Sequence, residues 1–189
     1  MDHPLRIDIT TSIPPSIHAE YQTIKDLSYV WLKSMTAADR KKHSDQFCSQ
    51  KDLISHVLAY RNQLFAGACM LFSRKVFGDR PLLLGGIGGL FVKKEWQHQG
   101  IATAIIKKAI DQLIKEGCDL AYLCTDVDHL GSLYEPFGFT PLKQGHTYLG
   151  KSGNRYTEYD GMLAPVKSRR LFRQIIDNPI PFDIGLGNW

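Results

Sequence analysis

Apolar and polar residues alternate along this chain with two different periods, and these periods predict its secondary structure. A period of two indicates a half-buried strand, whereas apolar residues three and four apart indicate an amphipathic helix. The first half is predicted to contain a strand, a helix, a polar loop with a short helix, and an antiparallel hairpin, at residues 5–10, 16–33, 35–50, 53–60 and 64–75. A turn at residues 78–81 then leads into a long strand that ends near Val92.

The second half continues with an amphipathic helix that starts at Ile101 and is capped by Gly117. A buried strand, a short helix and two stretches of strand are predicted to follow, at residues 120–124, 129–136, 140–149 and 160–166. Two strands joined by a helix become parallel neighbours through a right-handed crossover. The order therefore predicts an α/β fold, a mixed sheet with helices on both faces.

Size and composition indicate one soluble domain over residues 1–189, with 43% hydrophobic and 22% charged residues. No apolar run approaches the roughly 18 residues of a membrane span, and the start lacks a secretory signal, so a cytoplasmic protein without a membrane partner is expected. The four cysteines lack metal-site spacing and are read as reduced thiols, with no bound metal. A net charge of +4 is too small to indicate nucleic-acid binding. The tail, residues 167–189, is predicted to pack on the sheet or to pair with a second subunit as a homodimer.

A strand–turn–helix junction carries the clearest chemical signal. After the strand and a polar turn, the helix opens with Gln97-His98-Gln99-Gly100-Ile101-Ala102. Such a turn places free backbone N–H groups at the positive end of a helix dipole, where they hold a phosphate or diphosphate without a charged side chain. Gly100 and Ala102 keep side chains away from the anion. The junction therefore predicts a phosphorylated cofactor.

Four glycines surround Ile87 in the preceding strand, at positions 85, 86, 88 and 89. A dinucleotide loop would open a helix directly, whereas Leu90-Phe91-Val92 continues the strand, and no P-loop motif is present. The glycines indicate a bulge or a place where ligands approach the backbone, with loop flexibility as the alternative.

Two motifs together resemble the GCN5-related N-acetyltransferase family: Gln97-x-x-Gly100-x-Ala102, and about thirty residues later Leu133-Tyr134-Glu135-Pro136-Phe137-Gly138-Phe139. The resemblance implies a mostly antiparallel sheet with two splayed parallel strands and acetyl-coenzyme A between them. It implies that the pantetheine arm pairs with Leu90, Phe91 and Val92, that an N–H near Val92 polarises the thioester, and that Tyr134 is the general acid. The diphosphate would bind the amides of Gln97, His98, Gln99, Gly100, Ile101, Ala102 and Thr103.

The end of the chain resembles the aminoglycoside 2′-N-acetyltransferase branch of that family, on Tyr159-Asp160-Gly161, Phe182-Asp183 and Trp189. The resemblance implies that Asp160, Asp183 and the terminal carboxylate at Trp189 line an amino-sugar site. That branch carries its glutamate base on the cofactor strand, and the matching position here is Gly88. The substrate of this chain is therefore expected to contact Gly88, but the base must come from elsewhere.

A small-molecule primary amine is the expected acceptor, and an amino sugar, a polyamine, an amino acid and a protein amine all stay open. Alkylammonium groups have pKa values near 10, so a carboxylate must remove a proton. Asp160 is the predicted base, and the other candidates are Glu158, Asp126, Asp183, the terminal carboxylate and, less directly, His129. Two other functions stay open: a coenzyme A-binding module without catalysis, and a nucleotide-binding fold that uses the same turn. Lys93-Lys94, Lys107-Lys108 or Arg169-Arg170 could meet the 3′-phosphate of the cofactor.

Overall fold

The structure, a computed structural model, describes residues 4–29, 31–48, 50–76 and 81–189. Ten strands in these residues, β1 to β10, are Leu5–Thr10, Leu53–Arg61, Leu64–Val76, Leu82–Val92, Leu120–Cys124, Thr140–Pro141, His146–Leu149, Arg155–Glu158, Gly161–Pro165 and Phe182–Leu186. The six α-helices, α1 to α6, are Pro15–Ser28, Trp31–Ser34, Ala37–Gln46, Ile101–Lys115, Val127–Tyr134 and Arg169–Ile176. The predicted turn at 78–81 lies outside the described residues, except for Pro81.

Seven strands form the central sheet in the order β1-β2-β3-β4-β5-β9-β6. Only β4 and β5 are parallel neighbours within it, because α4 carries the chain back across the sheet between them. All other neighbouring pairs of this sheet are antiparallel. The predicted fold class, a mixed and mostly antiparallel sheet, is confirmed.

Helices cover both faces of the sheet. On one face, α4 buries Ile101, Ile105 and Leu113 against β2, β3 and β4, and α5 packs beside it. On the other face, α1 places Tyr21 against Phe65 and Phe91, and α6 lies further along. None of the helices in the described parts of the chain is long and apolar enough to span a membrane.

A second sheet, β10-β7-β8, lies on the same face as α6. β7 and β8 form an antiparallel hairpin, and β10 runs parallel to β7. The tail packs its apolar side on the central sheet, through Phe172, Ile184 and Trp189. The sequence pattern did not predict β8, α6 and β10, because four- and five-residue strands and a two-turn helix give too few periods to recognise.

Candidate active site

A cleft opens where β4 and β5 separate. The two strands are paired at only three positions, Leu84–Leu120, Gly85–Ala121 and Gly86–Tyr122. Beyond them β4 carries a bulge at Gly89, whose φ of +60° is left-handed, and a Cβ there would lie 2.5 Å from Met70 Cε. A bulge bends its strand and increases the local twist. Consequently β4 has no strand partner on its β5 side from Ile87 onward in the described residues.

The open edge of β4 contains the three residues predicted to pair with the cofactor. Phe91 is buried against Tyr21, with ring centroids 5.3 Å apart, whereas Leu90 and Val92 are half-buried. A Cβ on Gly67 of β3 would lie 2.6 Å from the carbonyl oxygen of Phe91. Glycine at position 67 therefore allows β3 to approach one edge of β4 closely, while the other edge of β4 stays without a partner.

The turn between β4 and α4 presents unused backbone donors. Gly100 has φ +77° and open space where a Cβ would be, and His98 is also left-handed at φ 57°. The Gln97 side chain donates to the carbonyl of Val92 at 3.1 Å and fixes the turn to the strand. The N–H groups of residues 98–103 donate to no group of the described chain. These amides stand at the positive end of α4, and their chemistry fits a diphosphate.

Two phenols interact electrostatically near the bulge, of which Tyr134 is buried and Tyr29 is half-buried. Tyr134 is the last residue of α5 and is 7% exposed, and burial raises its pKa to about 12. Tyr134 therefore keeps its proton at neutral pH and can donate it. The hydroxyl of Tyr29 lies 3.9 Å from the position of a Cβ on Gly89, and burial raises its pKa as well.

Across the sheet from α5, a thiol and two carboxylates meet. Cys124 ends β5, and its Sγ donates to Oδ2 of Asp160 at 3.0 Å. A carboxylate oxygen of Glu158 joins them, so that the three groups lie within 4.8 Å of one another. Burial, followed by the charge of Asp160, raises the pKa of the Cys124 thiol well above its usual value, and the thiol stays protonated. The Asp160 side chain is 44% exposed, but its Oδ1 is buried and has no hydrogen-bond partner among the described residues.

Hydrogen bonds orient the carboxylate of Glu158. Gln46 Nε2 donates to its Oε1 at 2.7 Å, and Asn188 Nδ2 donates to its Oε2 at 3.1 Å. The Tyr122 hydroxyl donates to Asn188 Oδ1 at 2.9 Å, so its oxygen accepts from Nε2 of His146 at 2.9 Å. His146 is therefore neutral with its proton on Nε2, and burial lowers its pKa to about 4.

Trp189 occupies the glycine face of β4. A Cβ on Gly86 would lie 2.1 Å from Cε3 of the Trp189 ring, which stacks on Phe72 at a centroid distance of 5.6 Å. A Cβ on Gly88 would lie 3.0 Å from Phe72 and 3.3 Å from the carbon of the terminal carboxylate at Trp189. The glycines thus form the bulge at Gly89, and at residues 86 and 88 they leave space in which Trp189 packs against β4.

The other predicted base candidates lie outside this cluster. Asp183 forms an ion pair with Arg155 and accepts from the N–H of Gly185 at 2.8 Å. Asp126 caps α5, and its carboxylate lies 2.9 Å from Nδ1 of His129, whose pKa it raises. Of the carboxylates considered, the structure brings together Asp160 and Glu158.

Sequence reasoning missed Tyr29, Cys124, Gln46 and Asn188. Each is a single polar residue in a different element, so no local pattern connects them. The available signal was the placement of Tyr122 and Cys124 in an otherwise apolar buried strand. A buried polar group requires a partner, and such residues therefore predict a polar network even though they do not identify its members.

Comparisons with known proteins agree with this geometry. The family model described as "Acetyltransferase (GNAT) family" matches residues 19–139. N-alpha-acetyltransferase 30 of Saccharomyces cerevisiae is 34% identical over 39% of this chain and 43% of its own length, and that of Schizosaccharomyces pombe is 29% identical over 74% and 93%. A GNAT family acetyltransferase from Brucella melitensis, in complex with acetyl-CoA, superposes with a TM-score of 0.53 at 20% identity, over 73% of this chain and 84% of that one. The chain therefore belongs to the acetyltransferase (GNAT) family, whose acyl donor is acetyl-coenzyme A.

Proposed function

We propose that this chain transfers the acetyl group of acetyl-coenzyme A to a primary amine by direct attack in the cleft between β4 and β5. The observation that carries this proposal is the row of unused N–H groups at residues 98–103, next to a strand edge without a partner. The turn would hold the diphosphate, and the edge at Leu90, Phe91 and Val92 would hold the pantetheine arm.

The groups on the two faces then have complementary roles. Asp160, whose Oδ2 is held by Cys124, accepts the proton of the attacking amine directly or through water. A backbone N–H near Val92 stabilises the oxyanion as the nitrogen–carbon bond forms. The carbon–sulfur bond breaks, and Tyr134 gives its proton to the departing sulfur and recovers one from solvent. Holding both reactants in one cleft supplies much of the rate enhancement.

A small-molecule amine fits the acceptor side. Trp189 covers the neighbouring part of β4, and Asp160 and Glu158 offer two carboxylates within 4.8 Å of each other. Paired carboxylates favour a compact acceptor with more than one amine, such as an amino sugar. The second candidate is the α-amine of a polypeptide, and it is favoured by the two relatives named N-alpha-acetyltransferase 30.

Release of free thiol from acetyl-coenzyme A tests this function with a panel of aminoglycosides, polyamines, amino acids and short peptides. We expect amine-dependent release, and a decrease of about 100-fold in kcat/KM for Asp160→Asn, the usual contribution of a general base. Asp177→Asn, at an exposed carboxylate after α6, is the matched control and should keep full activity. Binding of acetyl-coenzyme A without thiol release for any amine would instead support a coenzyme A-binding module.

A further inference from the structure

Arg74 of β3 is a buried cation that the chemistry described so far does not use. It is 8% exposed and lies beside Leu84 of β4 in the central sheet. Burying a guanidinium is costly unless it is paired and hydrogen-bonded. Its Nη2 lies 2.9 Å from Oδ2 of Asp52, in the turn before β2. The ion pair accounts for the charge of Arg74 but not for the donors on Nη1.

These remaining donors hold the segment that contains β10. Nη1 of Arg74 donates to the carbonyl oxygens of Ile184 at 2.9 Å and Gly187 at 2.8 Å. Gly185 and Gly187 have φ values of +92° and +73°, a conformation that glycine adopts without strain. The left-handed residues bend the segment, and two carbonyls three residues apart meet one nitrogen.

The same guanidinium lies against the aromatic ring of the segment. Cζ of Arg74 is 4.0 Å from the centroid of the Trp189 ring, which is a cation–π distance. The ring is thereby pressed onto Gly86, where there is no side chain to prevent the contact. Arg74 thus fixes residues 184–189 at three points, two carbonyls and one ring.

Because residues 184–189 are fixed, Asn188 lies next to the carboxylates that are proposed to face the acceptor. The backbone N–H of Asn188 donates to the carbonyl of Gln46 at 2.8 Å, and its side chain joins Tyr122 to Glu158. Glu158 lies with Asp160 in the carboxylate cluster. Among the described residues, no backbone hydrogen bond joins the turn before α4, residues 97–103, to this network. The effect of Arg74 should therefore reach the acceptor and not acetyl-coenzyme A.

We propose that Arg74 is a positioning residue for the acceptor amine: it fixes residues 184–189, so that Asn188 orients Glu158 beside Asp160. The proposal rests on the proposed function, since it concerns the acceptor of that reaction. It assigns Arg74, which touches neither substrate, an effect on one substrate only. If Arg74 only stabilised the fold, its removal would raise KM for both substrates.

The test compares the two KM values, using the best amine of the panel. Arg74→Met should raise KM for the amine about tenfold, the equivalent of one hydrogen bond to a charged group, and leave KM for acetyl-coenzyme A within about twofold. Arg74→Lys keeps the charge near Asp52 and should recover part of the loss. Arg173→Met removes an exposed arginine of α6 that has no ion pair in the described residues, and it should change neither KM.

Equal changes in both KM values, or no change in either, would overturn the role of Arg74 while the wild-type activity upholds the proposed function. If Arg74→Met does not unfold cooperatively, Asn188→Ala decides, because it removes the amide that donates to Glu158 and leaves Arg74 with its own contacts in place. The same selective rise in KM for the amine is expected, and its absence counts against the proposal. A wild-type chain that acetylates no amine overturns the proposed function and, with it, this role.

Discussion

Gly100→Ala separates the stability of the turn before α4 from its ligand binding. Gly100 has φ +77°, and a Cβ there would meet nothing within 4 Å. Alanine in this conformation costs roughly 1–2 kcal/mol, which should lower Tm by about 2–8 °C for a domain of this size. The new methyl group would also occupy the space next to the amides of residues 98–103. Losing one hydrogen bond to a charged phosphate costs about 1.5–3 kcal/mol, so KM for acetyl-coenzyme A should rise about 10- to 150-fold.

Gly153→Ala is the matched control, because Gly153 has φ +86° and equally open space but lies in the β7–β8 hairpin. Both variants should lose the same stability in thermal unfolding, whereas only Gly100→Ala should raise KM for acetyl-coenzyme A. Calorimetric titration with acetyl-coenzyme A measures the same difference without turnover. If the two variants bind the cofactor equally well, the amides of this turn do not hold its diphosphate, and the reasoning from the turn is wrong.

Three further predictions concern the phenol, Gly86 and the buried imidazole. Tyr134→Phe should lower kcat at every pH up to about 10, since burial keeps the phenol protonated. Tyr21→Phe removes a buried hydroxyl that has no partner in the described residues, and it should leave kcat unchanged. Equal kcat values for the two variants would exclude Tyr134 as the acid. Gly86→Ala should lower the free energy of unfolding, measured in urea, by about 1–3 kcal/mol, because the Cβ of the alanine would overlap the Trp189 ring. The fluorescence emission of Trp189 should also shift to the red, and an unshifted spectrum would contradict this contact. Between pH 6.5 and about 4, His146 binds a proton in the unfolded chain but not in the folded one. The free energy of unfolding should therefore fall by up to about 3 kcal/mol as pH decreases from 6.5 to 4, and His146→Gln should flatten this dependence in urea unfolding.

The donor side of the site was readable from the sequence because its signal is local. The strand, the turn after Val92 and the helix from Ile101 follow one another without interruption, and the structure has them at the predicted places. The free amides follow from helix geometry alone, since the first turn of any helix leaves its N–H groups without intrahelical acceptors. The central sheet was predictable for a related reason, because long strands and a four-turn helix show several periods each.

The acceptor side was decided by the tertiary structure. Asp160 was a candidate in the sequence, but its contact with Cys124 and its nearness to Glu158 depend on how β5 pairs with β9 and how β8 turns back. The fixing of residues 184–189 by Arg74 joins positions 110 and 113 residues apart. Hydrogen bonds between distant residues carry no sequence period, because they form only after packing has brought the elements together. The sequence by itself thus determined the family, the sheet and the turn before α4, while the fold alone decided which carboxylates and which tail residues come together.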